Sequence, residues 1–360
     1  MKALTMIMSI LLMLTMAQSQ TKREVKKLPP DVVPAPKTYD GKIWGMTFSD
    51  FSYLAQSEDA VQKGTNSFAF RRIYLGYDQS ISDQFSAQIL LEASNADTSF
   101  TGTMDFHVKH AYLEWKELVP SSSIFFGLSQ TPSMALSEKM WGYRSLEKVI
   151  LDRNGLVQTS DMGVGLKGQF ASDGSVGYAL MAGNGQGIRL ENDKLKRFYG
   201  EFYFQPIKGG VVELYTDYEN GANAESKLTG KGLLGYQSPG ASIGAEGFYR
   251  TVKNGAAGTA GADSNIVGAS AYTSFHIAES FRGVLRADFY DANYAVTTSG
   301  LREIFGVAGL DYEPAKDIDV IPNVLYTHRL YKNKQGGDPS LTDDITVRLT
   351  VAYAFSARVP

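Results

Sequence analysis

From Tyr39 onward, apolar and polar residues alternate with a period of two, in short segments dense in Tyr, Phe and Gly. That period predicts strands, because successive side chains along a strand point to opposite faces. About sixteen such segments can be traced. The first five are expected near Lys42–Leu54, Phe68–Ser80, Gln84–Ser94, Met104–Lys116 and Ser122–Ser129. After a long interruption come Asp161–Phe170, Ser175–Ala182, Arg197–Gln205, Gly210–Tyr218 and Lys227–Gln237. The last six are Ala241–Val252, Asn265–His276, Ser280–Asp291, Arg302–Tyr312, Asp317–His328 and Asp343–Ser356.

The connections alternate in length. Short ones carry Ser82-Asp83, Asp173-Gly174, Lys208-Gly209, Ser238-Pro239-Gly240, Ala278-Glu279 and Pro314-Ala315-Lys316. Long polar ones run over Gly183–Lys196, Lys253–Ser264 and Tyr331–Thr342. A transmembrane antiparallel β-barrel, with short periplasmic turns and long extracellular loops, produces this sorting, whereas a sandwich or propeller has no reason to. The last segment states the alternation most plainly. Ile345, Val347, Leu349, Val351, Tyr353 and Phe355 alternate with Thr346, Arg348, Thr350, Ala352 and Ala354, so one face suits lipid and the other water. On this reading Leu349 is intolerant of charge, and a polar residue of similar size in place of Thr350 is nearly neutral.

The N-terminus supplies the compartment. Lys2, an apolar run from Met6 to Met16 and the small residues of Ala17-Gln18-Ser19 read as a secretory signal over residues 1–19. Residues 20–38, with Lys22, Arg23, Lys26, Lys27, Pro29, Pro30, Pro34 and Pro36, read as an extended periplasmic linker. No later stretch approaches the roughly 18 apolar residues a membrane helix needs. Residues 39–356 are therefore expected to form a barrel of sixteen strands in a bacterial outer membrane, with 357–360 as a C-terminal tail.

Composition narrows the chemistry. Lys and Arg total 35 against 38 Asp and Glu, a formal charge of −3 that does not fit a nucleic-acid binder. Aromatics at 12% do not fit a disordered chain. With no cysteine, thiol nucleophiles, Cys-ligated zinc, iron–sulfur clusters and disulfides are excluded. His107 and His110 are separated by three residues in a strand, which points them to opposite faces unless a bulge intervenes. Gly183-x-Gly185-x-Gly187 departs from the dinucleotide fingerprint and reads as a flexible loop. There is no G-x-S-x-G elbow and no P-loop. No enzyme, cofactor or metal is expected.

At this point the chain resembles outer-membrane porins of Gram-negative bacteria, most closely the phosphate-selective porin family in its broad sense. The resemblance is carried by Phe70-Arg71-Arg72-Ile73-Tyr74-Leu75-Gly76-Tyr77, Ala111-Tyr112-Leu113-Glu114-Trp115, Phe126-Gly127-Leu128-Ser129-Gln130-Thr131-Pro132 and the alternating strand ending at Phe355. It implies a homotrimer of sixteen-stranded barrels, each with its third extracellular loop folded inward. The chain departs from the family by ending on Ser356–Pro360 beyond the aromatic Phe355, and by lacking an uninterrupted lysine and arginine ladder.

Two groups of candidate residues follow. The interruption, residues 131–160, carries Glu138, Lys139, Arg144, Glu147, Lys148, Asp152 and Arg153, and Met140, Arg144 and Lys148 recur at every fourth position as in a helical turn. Folded inward, it places these charges in the narrowest part of the lumen; folded outward, it is an ordinary solvated loop. On the polar faces of the strands lie Arg72, Arg286 and Arg348, and Glu92, Glu114, Glu201 and Glu213. Strands sixteen, one and two are neighbours in a closed barrel, which places Arg72 and Arg348 to share a basic wall; the other reading is that these charges pair with one another. The expected function is passive diffusion of small hydrophilic solutes or ions through a water-filled barrel set in outer-membrane lipid. The alternative is a structural or surface-recognition barrel with a plugged lumen.

Overall fold

The computed structural model describes residues 39–57, 59–94, 104, 106–221, 225–254, 263–294, 301–331 and 341–359. The signal and linker expected over residues 1–38 lie outside the described residues. Sixteen strands form one closed antiparallel ring in which each pairs with its sequence neighbours. They are β1 (Gly41–Gln56), β2 (Asn66–Ser80), β3 (Phe85–Ala93), β4 (Phe106–Lys116), β5 (Ser122–Gln130), β6 (Ser160–Gln169), β7 (Val176–Gly183) and β8 (Arg197–Phe204). The second half comprises β9 (Gly210–Asn220), β10 (Ser226–Gln237), β11 (Ala241–Lys253), β12 (Ser264–Ala278), β13 (Phe281–Asp291), β14 (Leu301–Ala315), β15 (Ile318–Tyr331) and β16 (Leu341–Val359).

The ring closes through β1 and β16, with Phe48 opposite Ala352 and Gly41 opposite Val359. Residues 357–359, expected as a tail, instead continue β16 and pair with Gly41–Ile43. Closure gives the free edge of β1 a full-length partner, and an unpaired edge is what a membrane strand cannot leave exposed.

Alternation along the strands separates two faces. On β16, Val347 and Leu349 are 47% and 42% exposed while Thr350 is fully buried. Leu75, Ile89, Phe126, Leu180, Leu214 and Leu285 repeat this outward apolar belt around the ring. A barrel that turns oil outward and polar side chains inward is solvated by lipid. Aromatic pairs sit at the short-turn rim, Phe85 with Trp115 at 5.1 Å and Phe281 stacked on Tyr312 at 4.9 Å, where a membrane interface favours them.

Two of the irregularities in strand register turn charged residues inward. Phe48 pairs with Arg72 and Ser49 with Phe70, which leaves Arg71 as the extra residue; Leu90 pairs with His110 and Leu91 with Val108, which leaves Lys109 extra. A bulge resets the in–out alternation by one residue. His107 and His110, expected on opposite faces, both fall on the inner face for this reason, opposite Glu92 and Leu90.

The long connection between β5 and β6 holds two short helices, α1 (Ala135–Trp141) and α2 (Ile150–Arg153). The four-residue recurrence of Met140, Arg144 and Lys148 does not make one helix. Gly142 at φ 71° caps α1, its N–H donating to the Glu138 carbonyl at 2.9 Å, so Arg144 and Lys148 lie in the irregular stretch between the helices.

Candidate functional site

Residues 131–159 carry apolar side chains that a solvated loop would not bury. Met134, Met140, Trp141, Leu146, Val149, Ile150 and Leu151 form one cluster with inner-face residues Tyr215, Leu233, Phe248, Tyr272, Val284, Phe305 and Ile321. Burying each large side chain is worth about 1.5–3 kcal/mol, which explains why the segment stays against the wall. Trp141 meets Tyr272 edge-on at 5.4 Å, and its ring N–H donates to the Glu147 carbonyl at 2.8 Å. Gly235 on β10 makes the approach possible, because a Cβ there would collide with Met140.

Polar anchors reach the segment from strands around the ring. Lys231 donates to the Ser133 carbonyl at 2.8 Å and to Ser137 Oγ at 2.6 Å, and Ser137 donates to Glu246 at 2.6 Å. Tyr143 donates to Asp311 at 2.9 Å, Arg153 pairs with Glu303 at 2.5 Å, and Arg286 donates to the Lys148 carbonyl at 2.7 Å. Arg71 and Arg348 both donate to the Leu146 carbonyl, at 3.0 and 2.6 Å. Arg197 and Arg250 likewise converge on the Leu156 carbonyl.

One side of the segment is left facing a cavity of about 580 Å³, lined by Phe48, Tyr74, Lys109, Glu138, Arg144 and Thr159 among others. Arg144 pairs with Glu138 at 2.6 Å and Asp152 at 2.9 Å. Burial works against the Arg144 charge, but Tyr74, Glu138 and Asp152 outweigh it and hold the guanidinium pKa well above its ordinary value. Burial pushes the Glu138 carboxyl up, with Arg144 pulling the other way. On the facing wall Glu92 forms ion pairs with Arg72 at 2.8 Å and Lys109 at 2.9 Å. Lys109, Glu138 and Arg144 thus line the cavity, each held by a partner of opposite charge.

The residues singled out in the sequence divide between this border and the packed side. Glu138, Arg144 and Asp152 come together with Lys148, which lies 3.9 Å from Asp152. Lys139 also lines the cavity, whereas Arg153 lies over the Phe305 ring at 3.8 Å and Glu147 accepts from the Lys148 N–H at 2.8 Å. Arg72 and Glu92 are paired with each other. Arg286 is held bidentate by Asp288 and lies under Trp141; Arg348 bonds Asn323 at 3.0 Å. Glu213 pairs with Lys231 at 3.0 Å, Glu201 is buried on neighbouring β8, and Glu114 pairs with Lys167 at 3.0 Å.

Arg72 and Arg348 flank β1 but take different partners, Arg72 the Glu92 carboxylate and Arg348 the side of Asp50. Arg71 is bonded to Asp50, while Arg348 lies 3.8 Å from the same carboxylate. Strict alternation assigns Arg71 and Lys109 to lipid. The only signal against that is the cost of a charge in lipid, which is itself a reason to suspect a bulge. The glycine run expected as a flexible loop is pinned instead: Asp161 accepts from the N–H groups of Gly185 at 2.7 Å and Gly187 at 3.2 Å and from Tyr199 at 2.8 Å. Both glycines have positive φ, 80° and 69°, where a side chain is strained.

No protein-family model matches the chain, and no curated protein sequence matches it. Solved structures do. The outer membrane channel DcaP of Acinetobacter baumannii has a TM-score of 0.63 at 13% identity, over 89% of this chain and 99% of that one. The anion-selective porin from Comamonas acidovorans has a TM-score of 0.63 at 12% identity, over 88% and 100%. Salmonella typhi OmpF, in complex with daunomycin, has a TM-score of 0.59 at 11% identity, over 88% and 97%. The chain has the fold of an outer-membrane porin. With its lipid-facing belt, that fold places it in a bacterial outer membrane.

Proposed function

We propose that this chain is a porin in which residues 131–159 fold into the lumen and narrow it, leaving a passage for small hydrophilic solutes or ions along β1–β4 and β16. The observation that carries the reading is the ring of anchors on this segment from Tyr74, Lys231, Arg286, Glu303, Asp311 and Arg348, with a charged cavity left on one side. Solutes passing there meet the Arg72–Glu92–Lys109 and Arg144–Glu138–Asp152 clusters, where low-dielectric walls strengthen each charge. No reaction step and no cofactor is required. The homotrimer rests on the resemblance described above; of its motif residues, Arg71 and Arg72 each face a carboxylate.

The test is planar-bilayer conductance with selectivity. Changing Arg72→Gln together with Lys109→Gln removes two positive charges from the passage. The zero-current potential in a salt gradient is expected to move toward cation preference, and Glu92→Gln to move it the opposite way. An unchanged potential at low salt, where screening is weakest, overturns the assignment of this wall to the path.

A second reading keeps the fold and drops conduction: a barrel plugged by the same segment and presenting its long loops to a partner. Contacts from the segment to opposite walls, Tyr74 and Arg348 on one side and Lys231 and Arg286 on the other, favour it. Purified protein that inserts without passing current decides for this reading.

A further inference from the structure

A second cavity, of about 360 Å³, lies at the long-loop end of the barrel, among the end of the 131–159 segment, the β7–β8 connection and the ends of β8–β11. Arg197 and Arg250 line it from the inner faces of β8 and β11, only 2% and 5% exposed. The Arg197 charge is matched by Asp217 at 2.6 Å and Glu219 at 3.0 Å. Lys227 is shared between Glu219 at 2.9 Å and Glu225 at 3.2 Å. Arg250 has no carboxylate partner among the described residues; its hydrogen bond goes to the Leu156 carbonyl, which leaves further guanidinium donors unused. Burying such donors costs free energy that a ligand with acceptor oxygens recovers.

The rest of the lining narrows the ligand. Arg197, Lys227 and Arg250 are balanced there by Asp193, Glu219 and Glu225. An anion beside Arg250 also meets Glu219 and Glu225, and a cation beside those carboxylates meets Lys227, so the cavity draws in neither sign of ion. Its other polar groups are carboxamides, those of Gln158, Asn184, Gln186 and Asn220. Among the described residues the side chains of Gln158 and Asn184 make no hydrogen bond. Asn220 only accepts, from the Tyr218 hydroxyl at 2.7 Å, so its N–H donors stay free. An amide presents donors and an acceptor together, and a hydroxyl answers both because it donates and accepts. Leu156 and Leu195 add aliphatic surface between the polar groups, and the volume falls within the range of small-molecule sites.

We propose that this cavity binds neutral mono- and disaccharides, with sugar oxygens on the Arg250 guanidinium and hydroxyls on the Gln158, Asn184 and Asn220 amides. Arg197 and Arg250 reach it from the side of the wall turned away from lipid, so the ligand is a free solute and not the headgroup of a glycolipid. Binding itself does not depend on conduction; that a bound sugar goes on through the passage rests on the channel reading above.

Sucrose is the probe. Saturation-transfer NMR on the protein in a detergent without a sugar headgroup is expected to show saturable binding, weakened about tenfold or more by Gln158→Leu/Asn184→Leu. Asn220→Leu, at an exposed strand end where folding is not at stake, is expected to weaken binding in the same direction. Absent saturation, or parent-like binding by either variant, overturns the proposal. Displacement of sucrose by inorganic phosphate at equal concentration also overturns it, by making Arg250 an anion site, and so does equal competition from triethylene glycol, which lacks the array of hydroxyls. Binding and conductance fail separately: sucrose binding without current removes the channel and keeps the site, and current without binding does the reverse.

Discussion

Replacing residues Ser137 to Asp152 with a short Gly/Ser bridge is expected to leave the barrel folded and raise single-channel conductance about twofold or more, with larger uncharged solutes admitted. The barrel survives because its cohesion is the closed ladder of backbone hydrogen bonds, to which the segment contributes none of the strand pairs. The deletion removes the contacts of Met140, Trp141, Tyr143, Leu146, Ile150 and Leu151 with strand residues and exposes Lys231, Arg286, Asp311 and Arg348 to water. Lys231, Arg286 and Arg348 keep partners in Glu213, Asp288 and Asn323. Single-channel recording with uncharged solutes of graded size checks it. Parent conductance and size limit in a correctly folded deletion would place the constriction elsewhere.

The second large effect lies on the opposite face. Leu349→Arg is expected to cost about 2–4 kcal/mol of folding stability, as for arginine on the lipid face near the bilayer midplane. Equilibrium refolding into lipid vesicles measures it. The neighbour Thr350 faces inward, where the expectation is that a polar residue of similar size is tolerated. It is fully buried, donates to Asp50 at 2.6 Å and accepts from Asn323 at 3.0 Å. Thr350→Ser, which keeps the hydroxyl, is expected to be nearly neutral, and Thr350→Val to cost about 1–3 kcal/mol by leaving Asp50 and Asn323 short of a partner. Equal losses for Leu349→Arg and Leu349→Ala would show that this face does not contact hydrocarbon.

The strands, their order and their lipid-facing sides were legible in the sequence, because a period of two is written directly into each segment and lipid tolerates few exceptions. Ile345, Val347, Leu349 and Val351 announce the outer face of β16 without any neighbour's help. The parity of connection lengths then determines which ends turn tightly. Candidate charges on the 131–160 interruption were legible as a group, since Glu138, Arg144 and Asp152 crowd one stretch whose length sets it apart.

Only the tertiary structure decided what each charge does. Whether Arg286 meets solute or Asp288 depends on what lies over it, and that is Trp141 from a segment far away in sequence. Arg71 and Lys109 entered the lumen through bulges, which are set by register between strands and leave no mark on one strand alone. Asp311 is held by Tyr143, which reaches it from 168 positions away in the chain, a contact that no alternation encodes. Local alternation determines a side chain's direction; its partners are determined by closure of the ring, which brings residues as far apart as Asp50 and Thr350 within hydrogen-bonding distance.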